Sequence, residues 1–343
     1  MASLRDTLAN LVEQYKASDT PLANLMRGDT EGAKKSATNA FEELAKNPYA
    51  GLDVSNPIGI AGTFIGPKSK LWNIDTHNLA KALESKGTAP EEIWKQTGNV
   101  KAPDNMWRQE IPDVEAKIKA NYNPSARYYE DVNTLSDLIE HPKLFESYPD
   151  AKNIQISQFA GKPFTGSSSG AYYSPSQVSL KTLDVIPDRI GLHEDRLLDP
   201  ETTKSTLLHE IGHYVQEQEG LSKGGSTQEF LEPLYKHRDQ LFENLSHVND
   251  QLKQSVGTPE FQTLLEKRDK LIPEINKYND SVDIHDLAYN KYRNLLGEAE
   301  ARLTQNRMPL TQEQRLQNFP YAEGKFGLDV PYKNLLVKEL LNK

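Results

Sequence analysis

An α+β fold is predicted by three features of the 343-residue sequence. Short alternating stretches between residues 153 and 193 read as strands of a small sheet. A helix over about 200–219 follows and carries His209-Glu210-Ile211-Gly212-His213. A later helix, over about 283–307, carries Gly297-Glu298-Ala299-Glu300-Ala301-Arg302.

From the N-terminus, Leu4, Leu8, Leu11, Val12 and Tyr15 recur at helical spacing, which predicts an amphipathic helix over 3–16. The Ala-, Glu- and Lys-rich stretch 31–46 predicts a second. Pro48, Gly51, Pro57, Gly59, Gly62 and Gly66 then break the chain, so residues 1–70 read as an irregular, partly helical arm of the kind an assembly partner uses. Residues 71–127 read as a small helical module. It holds a helix pair over 76–98, with Thr88 as N-cap, Pro90 in the first turn and Gly98 at the end, packed by Trp94, Trp107, Ile111 and Val114. Residues 128–343 form the main domain. Leu135, Leu138 and Ile139 build a helix over 133–147, and 153–157 is a strand. A Gly/Ser loop at 165–170 precedes strands at 171–173 and 177–180, arranged around Ser174-Pro175-Ser176. Residues 189–193 add one more strand.

The helix that follows is marked at both ends. Asp199 is its N-cap, Pro200 its first residue and Gly220 its stop, and Leu208, Ile211 and Val215 form its apolar stripe. Residues 230–253 and 258–280 are two polar helices separated by Gly257 and Pro259, which predicts an antiparallel helical hairpin inserted at about 230–280. The tail, with Pro320, Gly324, Gly327 and Pro331, reads as loop.

His209 and His213 are four residues apart, so on a helix both imidazoles share one face and reach a single ion. Glu210 lies to the side, within reach of a water on that ion. Zinc lowers the pKa of its water, and a carboxylate there takes the proton as the water attacks a carbonyl, then protonates the leaving amine. This order of residues on a helix is what hydrolysis of a peptide or similar amide bond requires. With 8 His in the chain, the pattern arises by chance in roughly one chain in seventy of this composition. Gly212, inside the helix, costs about 1 kcal/mol relative to Ala and calls for a packing reason. A catalytic zinc needs a third protein ligand and an open position. Position 219, six beyond His213, is Glu, and the chain has no cysteine. The remaining candidates are Glu298 and Glu300, which face roughly opposite sides of a helix, so only one can bind. Arg302 reads as a surface ion pair. Tyr172, Tyr173, Tyr289 and Tyr292 either line the cleft, where one could donate to an oxyanion, or pack. His193 reads as structural.

Composition narrows the class. The net charge of −9, with no run of Lys and Arg, argues against specific nucleic-acid binding. The absence of Cys excludes disulfides, thiol catalysis and a Cys-based zinc site. The N-terminus lacks the basic flank and apolar run of a signal peptide. The most apolar stretch, Pro57 to Pro67, is too short and too broken by glycine to span a bilayer, and reads as a buried loop or docking segment.

With these residues in view, the region from about 135 to 320 resembles the zincin-like metallopeptidase domain of large polyvalent proteins from phages and mobile elements. The matching pieces occur in order: Leu138-Ile139-Glu140-His141-Pro142-Lys143-Leu144-Phe145 with Tyr148-Pro149, then Gly170-Ala171-Tyr172, Ser205 through His213, Glu219 through Ser226, and Gly297 through Arg302. Upstream, residues 92–98 and 107–113 resemble a module that often precedes this domain. The resemblance implies a zincin-like core: a small mixed sheet, the His-Glu-x-x-His helix and a second helix bringing a Glu ligand. It implies one zinc per chain on His209, His213 and Glu300, because a Glu ligand followed by Ala is usual there, with Glu210 as base. It implies a phage protein of the virion or host cytoplasm that acts on a protein or peptide, and the 1–70 arm and the hairpin, read from their own residues, are where it is expected to meet other virion proteins. The long hairpin and the irregular arm depart from the family pattern. The alternative is a virion structural or ejection protein in which the zinc site is structural or vestigial.

Overall fold

The structure, a computed structural model, describes residues 62–123, 127–160, 170–180, 182–278 and 284–341. The chain divides into Met1–Ile58 and Gly59–Lys343. The helices expected over 3–16 and 31–46 lie outside the described residues, as does the Gly/Ser loop up to residue 169. The described chain is mixed α+β, as the sequence predicts.

The region expected to be a helical module contains a sheet. β1 (Gly62–Ile65) and β2 (Val100–Lys101) both pair antiparallel with the central β3 (Trp107–Pro112). Between β1 and β2 run α1 (Ile74–Ser85) and α2 (Pro90–Thr97). Asn73 caps α1 by accepting from the Asp75 and Thr76 amides. α2 has Pro90 in its first turn, but its N-cap is Ala89 rather than Thr88, without a side-chain bond. Gly98 closes it at φ 64°, a left-handed geometry suited to glycine. Trp94 and Ile111 are buried as expected, whereas Val114 is exposed. β3 is buried on both faces along most of its length, Arg108, Gln109 and Glu110 included, so it shows no alternation to read.

β4 (Lys117–Ile118) pairs with β7 (Ile139–Glu140), and β5 (Tyr122–Asn123) with β6 (Tyr128–Tyr129). The helix expected over 133–147 is two short pieces, α3 (Leu135–Leu138) and α4 (Pro142–Ser147), on either side of β7. Pro142 keeps the residue before it out of the α region, and His141 sits at φ −145°, ψ 81°. The main sheet is mixed. β8 (Gln155–Phe159) runs parallel to β12 (Arg189–His193), while β9 (Ala171–Ser174) is antiparallel to β12 and forms an edge. β10 (Gln177–Val178) pairs with β11 (Val185–Ile186) in a separate hairpin.

α5 (Pro200–Glu219) begins and ends where its signals put it. Asp199 accepts from the Thr202 amide, Pro200 lies in the first turn, and Gly220 closes the helix at φ 72°. Leu207, Leu208, Ile211 and Val215 pack into one core with Ile190 and Leu192 of β12 and with Leu138 and Ile154. Each such side chain contributes about 1.5–3 kcal/mol of transfer free energy. α6 (Thr227–Gln254) and α7 (Glu260–Asn276) form the helical hairpin.

The last expected helix is two. α8 (Ile284–Arg293) and α9 (Leu296–Arg307) are separated where Leu295 turns extended and bridges in parallel to Leu336. The tail contains α10 (Gln312–Gln317), opened by a Thr311–Gln314 capping box. α5 packs along α9, and β1 lies against both. Among the described residues no helix is long and apolar enough to cross a membrane.

Candidate metal centre

α5 holds His209 and His213 one turn apart, with ring centroids separated by 4.9 Å. His209 Nε2 is 3.6 Å from Glu298 Oε2, and His213 Nε2 is 3.4 Å from Glu298 Oε1. One donor atom from each of these three residues lies within 4.8 Å of the others. Glu298 therefore occupies the position the sequence reading gave to Glu300. The Glu300 carboxylate points away, with Oε1 2.9 Å from Arg108 Nε and accepting from the Tyr321 hydroxyl. Residues two apart on a helix differ by about 200°, so one Glu had to face α5 and the other β3. Precedence of Ala could not choose between them, because Ala299 follows Glu298 as Ala301 follows Glu300. The usable signal was the face: Glu298, Ala301 and Gln305 line the side of α9 toward α5, and Ala301 is the neighbour of Gly212.

The second nitrogen of each imidazole meets a glutamine. His213 Nδ1 is 2.9 Å from Gln216 Oε1, and the Gln216 amide donates to the Gly297 carbonyl at 2.8 Å. His209 Nδ1 is 3.3 Å from Gln305 Oε1, and the Gln305 amide donates to the Ser205 carbonyl at 3.0 Å. Because each amide nitrogen must face a carbonyl, each amide oxygen faces the ring and can only accept. Both imidazoles then carry their proton on Nδ1 and turn the Nε2 lone pair toward Glu298. Glu298 Oε2 is buried and makes no hydrogen bond. Two imidazole lone pairs and a carboxylate oxygen converging on one point repel each other unless a cation lies among them, so this donor set fits a divalent ion. The sequence reading missed both glutamines. Gln216 is three residues after His213, a spacing that faces it, but Gln305 comes from another helix and leaves no local trace.

The two carboxylates are driven apart. Burial pushes Glu210 up to about 7, the Glu298 charge adds to this, and His213 and the Tyr173 backbone amide oppose it. Burial also raises Glu298, but His213, His209 and the Gly225 amide outweigh it and hold that carboxyl at about 2. The Gly225 bond is 3.0 Å long. Glu210 thus lies against edge strand β9 through the Tyr173 amide.

A cleft of about 430 Å³ opens here, with β9 and Pro175 on one side and residues 223–227 on the other. Tyr292 lines it beside Glu298, and burial together with that carboxylate pushes its phenol well up. Tyr172 also lines it, half exposed, while the Tyr173 hydroxyl is engaged by Asp188 at 2.6 Å. Tyr289 packs at a tilt beside Tyr292 without reaching the cleft wall. The loop 222–225 closes tightly over His213 and Glu298: a Cβ on Gly224 would overlap the Glu298 carboxylate and the His213 ring, and one on Gly297 would overlap the Lys223 backbone. Lys338 and Glu339 clasp the same loop, Lys338 Nζ donating to the Gly224 carbonyl at 3.0 Å and Glu339 accepting from the Ser222 hydroxyl at 3.0 Å. Arg302 pairs with Asp329 at 2.8 Å, a structural role as expected. His193 is buried and accepts from the Asp195 amide.

Residues 62–119 match the family model described as large polyvalent protein associated domain 23. No curated protein and no solved structure matches the chain. The matched segment spans β1 to β4 and contains none of His209, Glu210, His213 or Glu298. It is through this segment, whose β1 packs against both α5 and α9, that the chain is associated with large polyvalent proteins.

Proposed function

We propose that this chain is a zinc-dependent metallopeptidase of a phage or mobile element, and that zinc is held by His209, His213 and Glu298. The observation that carries the reading is the convergence of these three donors beside Glu210, a buried carboxylate of raised proton affinity, at the edge of a sheet. His209, His213 and Glu298 would hold zinc as a catalytic donor set, and the bound ion would supply Lewis acidity and a water of lowered pKa.

The protein's own groups do the rest. Gln216 and Gln305 orient the imidazoles. An extended peptide lies along β9, because an edge strand recruits a substrate strand by main-chain bonding. Glu210 accepts a proton from the attacking water. The water oxygen adds to the scissile carbonyl carbon, and as the C–N bond breaks that proton passes from Glu210 to the leaving nitrogen. Burial and the Glu298 carboxylate, to which it is hydrogen-bonded, keep the Tyr292 phenol protonated, and turning that hydroxyl from the carboxylate to the substrate makes it a donor to the carbonyl oxygen as negative charge develops there.

The test is metal content and peptide turnover of wild type beside His213→Ala and Glu210→Gln. Wild type is expected to hold one zinc per chain and His213→Ala none. Glu210→Gln is expected to retain zinc while losing turnover by about 100-fold or more. A wild type that takes up no zinc when supplied with it sinks the reading. The family match favours a second reading, since it falls wholly outside the ligands: a virion structural or ejection protein whose metal is structural, docking to other virion proteins through the α6–α7 hairpin. Zinc retained in Glu210→Gln, with no turnover by wild type on any of a broad panel of peptides, favours that alternative.

A further inference from the structure

We propose that Asp104 and Arg108, both in the 62–119 segment, are positioning residues that set the direction of Glu298 by holding it from two sides. The inference rests on the metal-site reading above and adds a role for residues outside that site.

Arg108 is wholly buried, and its two terminal nitrogens donate to Asp104 Oδ1 and Oδ2 at 2.7 and 2.6 Å. Its Nε lies 2.9 Å from Glu300 Oε1 on α9. Glu300 stands on the opposite side of the helix from Glu298 and one position beyond Ala299. Fixing Glu300 against β3 therefore fixes the rotation of the first turn of α9 about its axis, and so the direction in which Glu298 leaves the helix. The second hold runs through the loop. Asp104 Oδ2 accepts from the Ser222 amide at 3.1 Å, and three residues on, the Gly225 amide donates to Glu298 Oε1 at 3.0 Å. The close approach of Gly224 to the Glu298 carboxylate lets a shift of this loop act directly on the ligand. One Asp–Arg pair thus grips the ligand's helix and the loop that caps the ligand.

A second buried pair from the same segment supplies the contrast. Glu110 accepts from Arg307 Nε at 2.6 Å, but Arg307 ends α9, far along the helix from Glu298. Buried ion pairs add little net stability over apolar packing of equal volume, though removing one partner is costly. What a fork of two parallel bonds adds is fixed geometry.

The experiment uses the full chain with Asp104→Asn, Arg108→Lys and Glu110→Gln. Zn2+ affinity is measured by competition with a chromophoric chelator, the Co2+ visible spectrum reports the ligand geometry, and thermal unfolding of the metal-free protein reports stability. An Asn at 104 leaves the Arg108–Glu300 pair neutral and supplies one acceptor where two are needed. A Lys at 108 keeps the charge and loses the fork. Both are expected to lower Zn2+ affinity by about 10–100-fold, the range for outer-shell partners, and to alter the Co2+ spectrum. Glu110→Gln is expected to lower the unfolding temperature while leaving affinity within about threefold, below that outer-shell range. Folded Asp104→Asn with unchanged affinity and spectrum overturns the proposal. So does Glu110→Gln losing affinity in step with its stability, which would make the effect merely structural. If Arg108→Lys does not fold, Asp104→Asn carries the test alone. A wild type without metal removes the metal-site reading and this role with it, whereas metal-binding wild type with unaffected variants removes this role only.

Discussion

At the scale of single residues, the choice between Glu298 and Glu300 is the sharpest point. Glu298→Gln is expected to weaken zinc binding by more than about 100-fold, beyond the loss typical of an outer-shell partner. Glu300→Gln removes no donor from the site but loosens the Arg108 hold on α9, so it should weaken zinc binding by no more than the roughly 10–100-fold of an outer-shell partner and cost about 1–3 kcal/mol in unfolding free energy from the buried polar contacts it loses. Isothermal titration with Zn2+ and denaturant unfolding of the two variants check this, and a greater loss of affinity in Glu300→Gln than in Glu298→Gln would reverse the assignment. Gly212 behaves differently from the glycines of the loop. A Cβ there would meet Ala301 Cβ at 3.6 Å, an ordinary contact, so Gly212→Ala is expected to raise stability by up to about 1 kcal/mol with zinc content unchanged. A drop in unfolding temperature would mean the helix pair is closer in solution than here. His209, Glu210 and His213 were legible because their spacing along one helix is itself the geometry. The third member of the group was legible only as the pair Glu298 and Glu300, because a residue contributed by a second helix is chosen by which face packs inward.

At the scale of elements, local signals served where local physics decides. α5 was readable from Asp199 to Gly220 because its caps satisfy the helix ends directly. The predicted 133–147 helix failed at Pro142, a breaker that outweighs the apolar spacing around it. The predicted 283–307 helix failed at Leu295, where pairing with Leu336 competes with helix continuation. The two resulting helices are tied by Asp329, which meets Arg293 at 2.6 Å and Arg302 at 2.8 Å. Burial raises the Asp329 carboxyl, but Arg302 and Arg293 outweigh this and hold it below its ordinary value of 3.8. A depressed folded-state value means the unfolded chain binds its proton first, so the stabilisation is present above pH 3.8 and fades as pH falls through the lower folded value. For this half-exposed site, Asp329→Asn should cost about 0.5–1 kcal/mol at pH 7. Its unfolding temperature should converge on wild type in strong acid, and a gap that persists there would exclude the ion pair as its cause.

At the scale of the whole molecule, the 62–119 segment is built into the domain that carries the site. Lys68 donates its amide to Glu219 at the end of α5 at 2.8 Å, Arg108 meets Glu300, and Glu110 meets Arg307. A piece covering 128–341 would leave Glu300 and Arg307 without these partners, at about 3–5 kcal/mol for each broken buried pair, against a total stability of about 5–15 kcal/mol. Circular dichroism and thermal unfolding are expected to find 62–341 cooperatively folded and 128–341 not, and a sharp transition in the shorter piece would refute the argument. None of this was visible in the sequence, because pairs closed across roughly two hundred residues leave no periodic mark in either partner. The matched segment ends at residue 119, which bounds recognisable ancestry but not mechanical independence. In genomes that trade modules between elements, a crossover just beyond that point would hand on the histidines without Arg108 and Glu110, the buried partners of Glu300 and Arg307. Among the described residues, the unit that these contacts tie together reaches from Gly62 to the Lys338–Glu339 clasp.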